Sequence, residues 1–248
     1  MEVHHHPEVE HKGFKEYLLE GLMIFLAVTL GFFAESYREH LSETAKEYMY
    51  IRSMVSDLKA DTVKLDRIIA RDSVSHVRMD TLLEYLPMLQ NGFNIVFHRN
   101  ESSIMAFPDF VPTDNTIQQL RSSEGMRLIR SQKAVTAILN YDAVVKSSVG
   151  NQASLNALLD KMDIYRSEFF NYAAFDSEIK NHKTLKDIEN EKLDILLTHD
   201  KKEIAKFYNI IRDYLLVSRS VEENLKYVRV YATRLIKMLK EEYSLTDE

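Results

Sequence analysis

The chain has 248 residues, of which 28% are charged and 45% hydrophobic, with a formal net charge of −6. That length holds one large or two ordinary domains, and the acidic balance argues against nucleic acid as the main partner. Six glycines and four prolines rarely interrupt so long a chain, which points to long helices, and with no cysteine there is no disulfide or thiolate site.

The chain opens with a His-rich tail, residues 1–12, carrying His4, His5, His6 and His11. Such clusters in flexible tails bind transition metals only loosely, so no specific metal or cofactor is expected there. The stretch "EGLMIFLAVTLGFFAE", Glu20 to Glu35, then encloses fourteen uncharged residues. As a helix these rise about 21 Å, and extension back to Tyr17 gives about 27 Å, close to the roughly 30 Å of a bilayer's hydrocarbon core. Phe14, Tyr17 and Tyr37 stand where interfacial aromatics belong. A cleaved signal needs a basic leader, yet Glu2, Glu8, Glu10 and Glu16 outnumber Lys12 and Lys15. The sequence therefore predicts a retained transmembrane helix with its flanks at residues 13–37, in contact with membrane lipid. The Lys and Arg counts on its two sides are too similar to set its orientation.

Ala27, Gly31 and Ala34 share one stripe of that helix. Small residues let a second membrane helix approach closely, from another subunit or from a second copy. Glu20 and Glu35 extend the same face at the two ends of the span. Acids inside a membrane are functional suspects, whereas acids at its edges belong to the interface.

Residues 38–248 read as a helical soluble domain with long arms at about 44–86 and 200–243. Tyr48, Ile51, Val55, Leu58, Thr62, Leu65, Ile69, Asp72, His76, Met79, Leu83 and Leu86 step by 3 and 4, giving a coiled-coil-like seam that Pro87 and Asn91-Gly92 terminate. Residues 93–115 show no helical period and read as a connecting excursion with a strand-like "NIVFHRN". A short helix capped by Asp114 or Asn115 should end at Gly125, which would supply a positive φ. A second helix should run from Ser131 to about Ser148, with Gly150-Asn151 breaking the chain before a third at about 153–174. The final helix, from near Asp200, carries Phe207, Ile211, Tyr214, Ser218, Val221, Leu225, Val228, Ala232, Leu235 and Leu239 on one stripe.

The fold expected is mostly α: one N-terminal transmembrane helix continuing into an antiparallel, coiled-coil-like bundle of long helices, with shorter helices at the far end. If Tyr48 lies near Tyr243, Asp72 falls beside Ser218 and Arg219, and His76 within a turn of Leu215. Asp72, His76, Ser218 and Arg219 would then form a polar cluster that fixes the register.

Asp72, His76 and Asp80 lie in one row, but with no further ligand they read as a polar notch rather than a metal site. Ser56-Asp57-Leu58-Lys59 matches S-x-x-K by chance, mid-helix and without the partner motifs. No H-E-x-x-H, phosphate-cradling glycine loop or nucleophile elbow occurs, and no enzymatic activity is expected.

The tail, the short span ending "LGFFAESYREH" and the long helix after it resemble uncharacterised single-pass bacterial membrane proteins assigned to a domain of unknown function. The "NTIQQLRSSEGMRLI" stretch followed by "LNYD" is similar to a recurring segment of theirs, here Leu120, Ser122, Ser123, Gly125, Leu128 and Ile129. The resemblance implies an inner-membrane anchor with an extracytoplasmic helical domain, and it brings no catalytic residue. The function expected is a non-enzymatic scaffold or accessory subunit of an envelope complex. The alternative is an accessory of an ion- or proton-coupled complex that uses Glu20 or Glu35.

Overall fold

Helix starts as soon as the chain is described, where Glu16 reaches back to accept from the Gly13 backbone N–H at 2.9 Å. The computed structural model describes residues 13–92, 94–101, 109–122, 125–181, 183–191 and 196–246. The His-rich tail and Ser123 lie outside these. The fold is mostly α, and its only strand-like feature among the described residues is a single bridge between Phe170 and Leu196.

Helix α1 runs unbroken over Phe14–Tyr85. Pro87, which has no N–H to give, converts the chain to a 3-10 turn at Leu86–Asn91, and Gly92 ends it at φ 110°. Then follow α2 (Ile95–Glu101), α3 (Asn115–Ser122), α4 (Gly125–Leu128), α5 (Gln132–Phe169), α6 (Tyr172–Lys180), α7 (Leu185–Asn190) and α8 (Lys201–Glu242). Two units divide the chain, Met1–Met49 and Tyr50–Glu248, and α1 contributes to both.

In the first unit the apolar part of α1 has no cover. Its most apolar 18-residue window has a mean hydropathy of 2.0, with no residue buried. Phe32 is 71% exposed and Met23 68%. The helix is long and apolar enough to cross a membrane.

The second unit is a bundle of three long helices. α8 packs antiparallel to α1, because Asp66, Ser73 and Asp80 meet Arg229, Glu222 and Arg219 in reverse order. α5 is antiparallel to α8, with Ser131 bonded to Glu242 and Phe169 stacked on Phe207. All ten stripe residues expected on α8 are buried.

On α1 the seam is wider than expected. Ile51, Leu58, Leu65, Asp72, Met79 and Leu86 are buried as read, but they alternate with Met54, Asp61, Ile68, Ser75, Leu82 and Leu89. That too is a 3–4 repeat, and it turns the face between two neighbours, α8 and α5. Tyr48 stays exposed.

Three further expectations are corrected. "NIVFHRN" is helical: the Asn94 side chain accepts from the Phe97 N–H at 2.9 Å as an N-cap, and burial of Phe97 outweighs the local preference of Ile95 and Val96 for strand. Gly150 does not break the chain. α5 runs through it, capped by Ser131 as expected, because one glycine costs a helix only about 1 kcal/mol. Gly125 does not take a positive φ, since Gly92 is the only described glycine that does. Its need is space: a Cβ there would lie 2.9 Å from the Leu120 Cα.

Of the short helices, α2, α6 and α7 gather where α5 ends and α8 begins. α3 lies at the opposite end against Asp57 and Asp142, so not all of the shorter helices sit at the far end as expected. Phe97 stacks on Phe170, and Glu101 takes Arg166 Nε at 2.7 Å and the Tyr172 hydroxyl at 3.2 Å. Ile95 N donates to Glu189 of α7, whose own start is a capping box of Thr184 and Asp187. At the other end, Asp57 and Asp61 of α1 accept from the Thr116 and Thr113 backbones, and Lys64 donates to Val111 O, clamping the segment before α3 onto α1.

Candidate functional site

Two places concentrate chemistry, one in each unit. In the first unit Ala27, Gly31 and Ala34 line one exposed stripe of α1. A Cβ built on Gly31 meets nothing within 4 Å, so its smallness serves no packing inside the chain. Thr29 returns its hydroxyl to the Phe25 carbonyl at 2.7 Å, which hides that donor along the helix. Glu35 is held by Arg38, one turn on, with Nη2 to Oε1 at 2.5 Å. Arg38 was not read as its partner in the sequence, although the i, i+3 spacing announces it.

In the second unit the polar interruptions of α1 and α8 meet. His76 is buried with Nε2 2.7 Å from Ser218 Oγ and Nδ1 2.7 Å from Glu222 Oε2. A neutral ring serves both contacts if Nδ1–H donates to Glu222 while Nε2 accepts the Ser218 hydroxyl. Burial holds the imidazole below its usual pKa, against the pull of Glu222. Burial also pushes Glu222 upward, but donation from Lys226 and Ser73, with His76 alongside, outweighs it and leaves that carboxyl below its usual range.

Asp72 has none of this support. It is 4% exposed, and its Oδ1 finds no hydrogen-bond partner among the described residues. Burial first, then the charge of Glu222, pushes its carboxyl up to about 7.

The expected cluster is thus partly rearranged. His76 and Ser218 come together, and Asp72 feels the charge of Glu222 one turn further along α8. Arg219 turns to Asp80 on the exposed flank at 2.6 Å. The register along α8 lies three to four residues beyond the expected one, as Ser218 rather than Leu215 meets His76. Glu222, Ser73 and Lys226 were missed: Glu222 stands between Val221 and Leu225 of the apolar stripe, and only its i, i+4 spacing to Lys226 hints at a held carboxylate.

A second buried acid, Asp61, was also missed, because Thr62 fitted the repeat nearly as well. Asp61 is fully buried and takes the Tyr141 hydroxyl at 3.1 Å and the Thr113 N–H at 2.7 Å. Burial and the Asp61 charge push the Tyr141 phenol well above its ordinary range.

Among the described residues no three His, Asp or Glu side chains gather as a metal would require. Along α1, Asp72 and His76 are buried while Asp80 is on the exposed flank, and Ser56 to Lys59 lie mid-helix. The surface hollows are small. One of about 280 Å³ is lined by Arg52, Ser56, Lys59, Lys240 and Thr246, and another of about 270 Å³ by Ile204, Tyr208 and Pro87.

Fold and sites together define an α-helical bundle bearing an exposed apolar helix and a buried acid–imidazole cluster. No protein-family model matches this chain, and neither does any curated protein or solved structure.

Proposed function

We propose that this chain is a non-enzymatic, membrane-anchored helical scaffold or accessory subunit of a bacterial envelope complex. In this reading residues 13–37 cross the inner membrane once, and residues 38–248 lie on the periplasmic side. The observation that carries the anchor is the uncovered helix. Leu18, Leu19, Leu22, Met23, Ile24, Phe25, Leu26, Val28, Leu30, Phe32 and Phe33 are all exposed. At about 1.5–3 kcal/mol for each such side chain, leaving them in water costs on the order of 20 kcal/mol. A gain of that size on covering the helix favours its insertion or association. Lipid covers every side of such a helix, and the stripe of Ala27, Gly31 and Ala34 leaves one side for a partner helix.

The bacterial, extracytoplasmic setting rests on the likeness of "LGFFAESYREH" and the mid-chain segment to single-pass envelope proteins. The rival reading, ion or proton handling by Glu20 or Glu35, is weakened by the Arg38 pair. A carboxylate held by an arginine and 62% exposed at the end of a span suits the headgroup region better than an ion path.

The test is extraction from native membranes. Resistance to alkaline carbonate, with recovery in mild detergent of a stoichiometric assembly larger than one chain, supports the proposal. Release by carbonate overturns the anchor. A carbonate-resistant chain recovered only as a monomer overturns the scaffold.

A further inference from the structure

We propose that Asp72 is a proton-binding site whose occupancy sets how tightly α1 and α8 close. Its geometry is that of an acid kept for its neutral form. The side chain is 4% exposed on the stretch of α1 between Ile68 and Met79, where Ser75 and His76 are the other buried residues, and its Oδ1 is unpartnered among the described residues. A lone carboxylate there would be costly, whereas a carboxylic acid is tolerated. Opposite lies Glu222, which cannot take the proton instead, because Ser73, Lys226 and His76 all support its ionised form.

The other groups around the site set no competing trap. From α1, Arg71 favours the ionised form of Asp72 but ranks below burial and Glu222. From α8, Tyr214 faces Asp72 and is itself pushed up by burial, then by the charges of Asp72, Asp163 and Asp109. Arg219 and Asp80 act on His76 from the exposed flank. The buried face of α5 between Val145 and Met162 carries Ser148, Gln152 and Leu155, none of them ionisable.

Loss of the proton puts two carboxylates against each other across the seam, at the point where His76 bridges α1 to Ser218 and Glu222. The helices then separate or admit water. The folded state holds this proton more tightly than the unfolded chain does, because its carboxyl titrates near 7 instead of 3.8. The contribution is therefore fully present below about pH 4 and is lost as pH rises through about 7. His76 acts in the opposite sense, its neutral form being favoured by the fold, so the Asp72 part must be read by difference.

The experiment is hydrogen exchange of the α8 amides from 215 to 225 in the full chain in detergent micelles, corrected for intrinsic rate. Wild type and Asp72→Asn are compared from about pH 5.5 to 8.5. Relative to Asp72→Asn, the wild-type opening constant should rise by up to tenfold per pH unit, then level above about pH 7. Parallel profiles for the two proteins overturn the proposal. If Asp72→Asn does not fold, infrared spectra of wild type decide. A protonated-carboxyl band that disappears around pH 7 supports it, and complete ionisation already at pH 5.5 overturns it.

Discussion

Asp61 and Asp72 are buried acids eleven residues apart on the same helix, and they differ in what surrounds them. Asp61 accepts from Tyr141, the Thr113 backbone and Lys64, so both of its carboxylate oxygens have donors. Asp61→Ala would strand the Tyr141 hydroxyl and the Thr113 N–H in the interior, and we expect a loss of about 2–4 kcal/mol. Asp72→Leu instead removes a carboxyl whose Oδ1 has no partner among the described residues and should raise stability by about 1 kcal/mol at neutral pH. Denaturant midpoints in micelles check both signs together; a loss from Asp72→Leu comparable to that from Asp61→Ala would contradict the distinction. Although the pairing expected was Asp72 with Ser218, His76 and Ser218 were legible as members of one polar cluster because each breaks an apolar repeat. Asp61 was not, since a charged residue at a seam position looks like a solvated one until its donors, 52 and 80 residues away, are brought to it.

Among the elements, glycine misled twice, for different physical reasons. Gly150 looked like a break, but α5 passes through it with open space where a Cβ would stand. Gly150→Ala should therefore stabilise by about 0.5–1 kcal/mol. Gly125 looked like a left-handed cap but is a close approach, its missing Cβ falling 2.9 Å from the Leu120 Cα. Gly125→Ala must move backbone and should cost about 1–3 kcal/mol. Opposite shifts in melting temperature are expected, and the same sign for both would refute the reading. Spacing shows that a glycine is present but not which of its freedoms is used.

In α1, Gly31→Leu adds bulk where nothing in the chain stands within 4 Å. The fold should be untouched, and membrane insertion unimpaired, while any assembly through the Ala27–Gly31–Ala34 stripe falls apart. Sedimentation in mild detergent reads this directly; assembly size unchanged by both Gly31→Leu and Ala27→Leu means the stripe is not the interface.

At the scale of the whole molecule, long helices followed from the scarcity of breakers, and the antiparallel α1–α8 pair from two matched repeats. The third long helix was read as two because Gly150-Asn151 looked like a break and because polar Ser148 and Gln152 interrupt its 3–4 stripe of Ala134, Ile138, Tyr141, Val145, Leu155, Met162 and Phe169. The apolar span was the plainest signal of all, and its meaning depends on what covers it. A bilayer and a soluble oligomer respond differently to a buried charge. Leu22 and Leu26 lie one turn apart in the middle of the span, and both are exposed. Replacing both by arginine costs roughly 5–7 kcal/mol at the centre of a membrane helix. The double variant should lose carbonate-resistant membrane association while α5 and α8 keep their hydrogen-exchange protection, because their core belongs to the other unit. If another copy in water covers the helix, wild type will not float with liposomes, and the variant will simply turn from oligomer to monomer. Flotation of wild type, lost in Leu22→Arg/Leu26→Arg, separates the two covers.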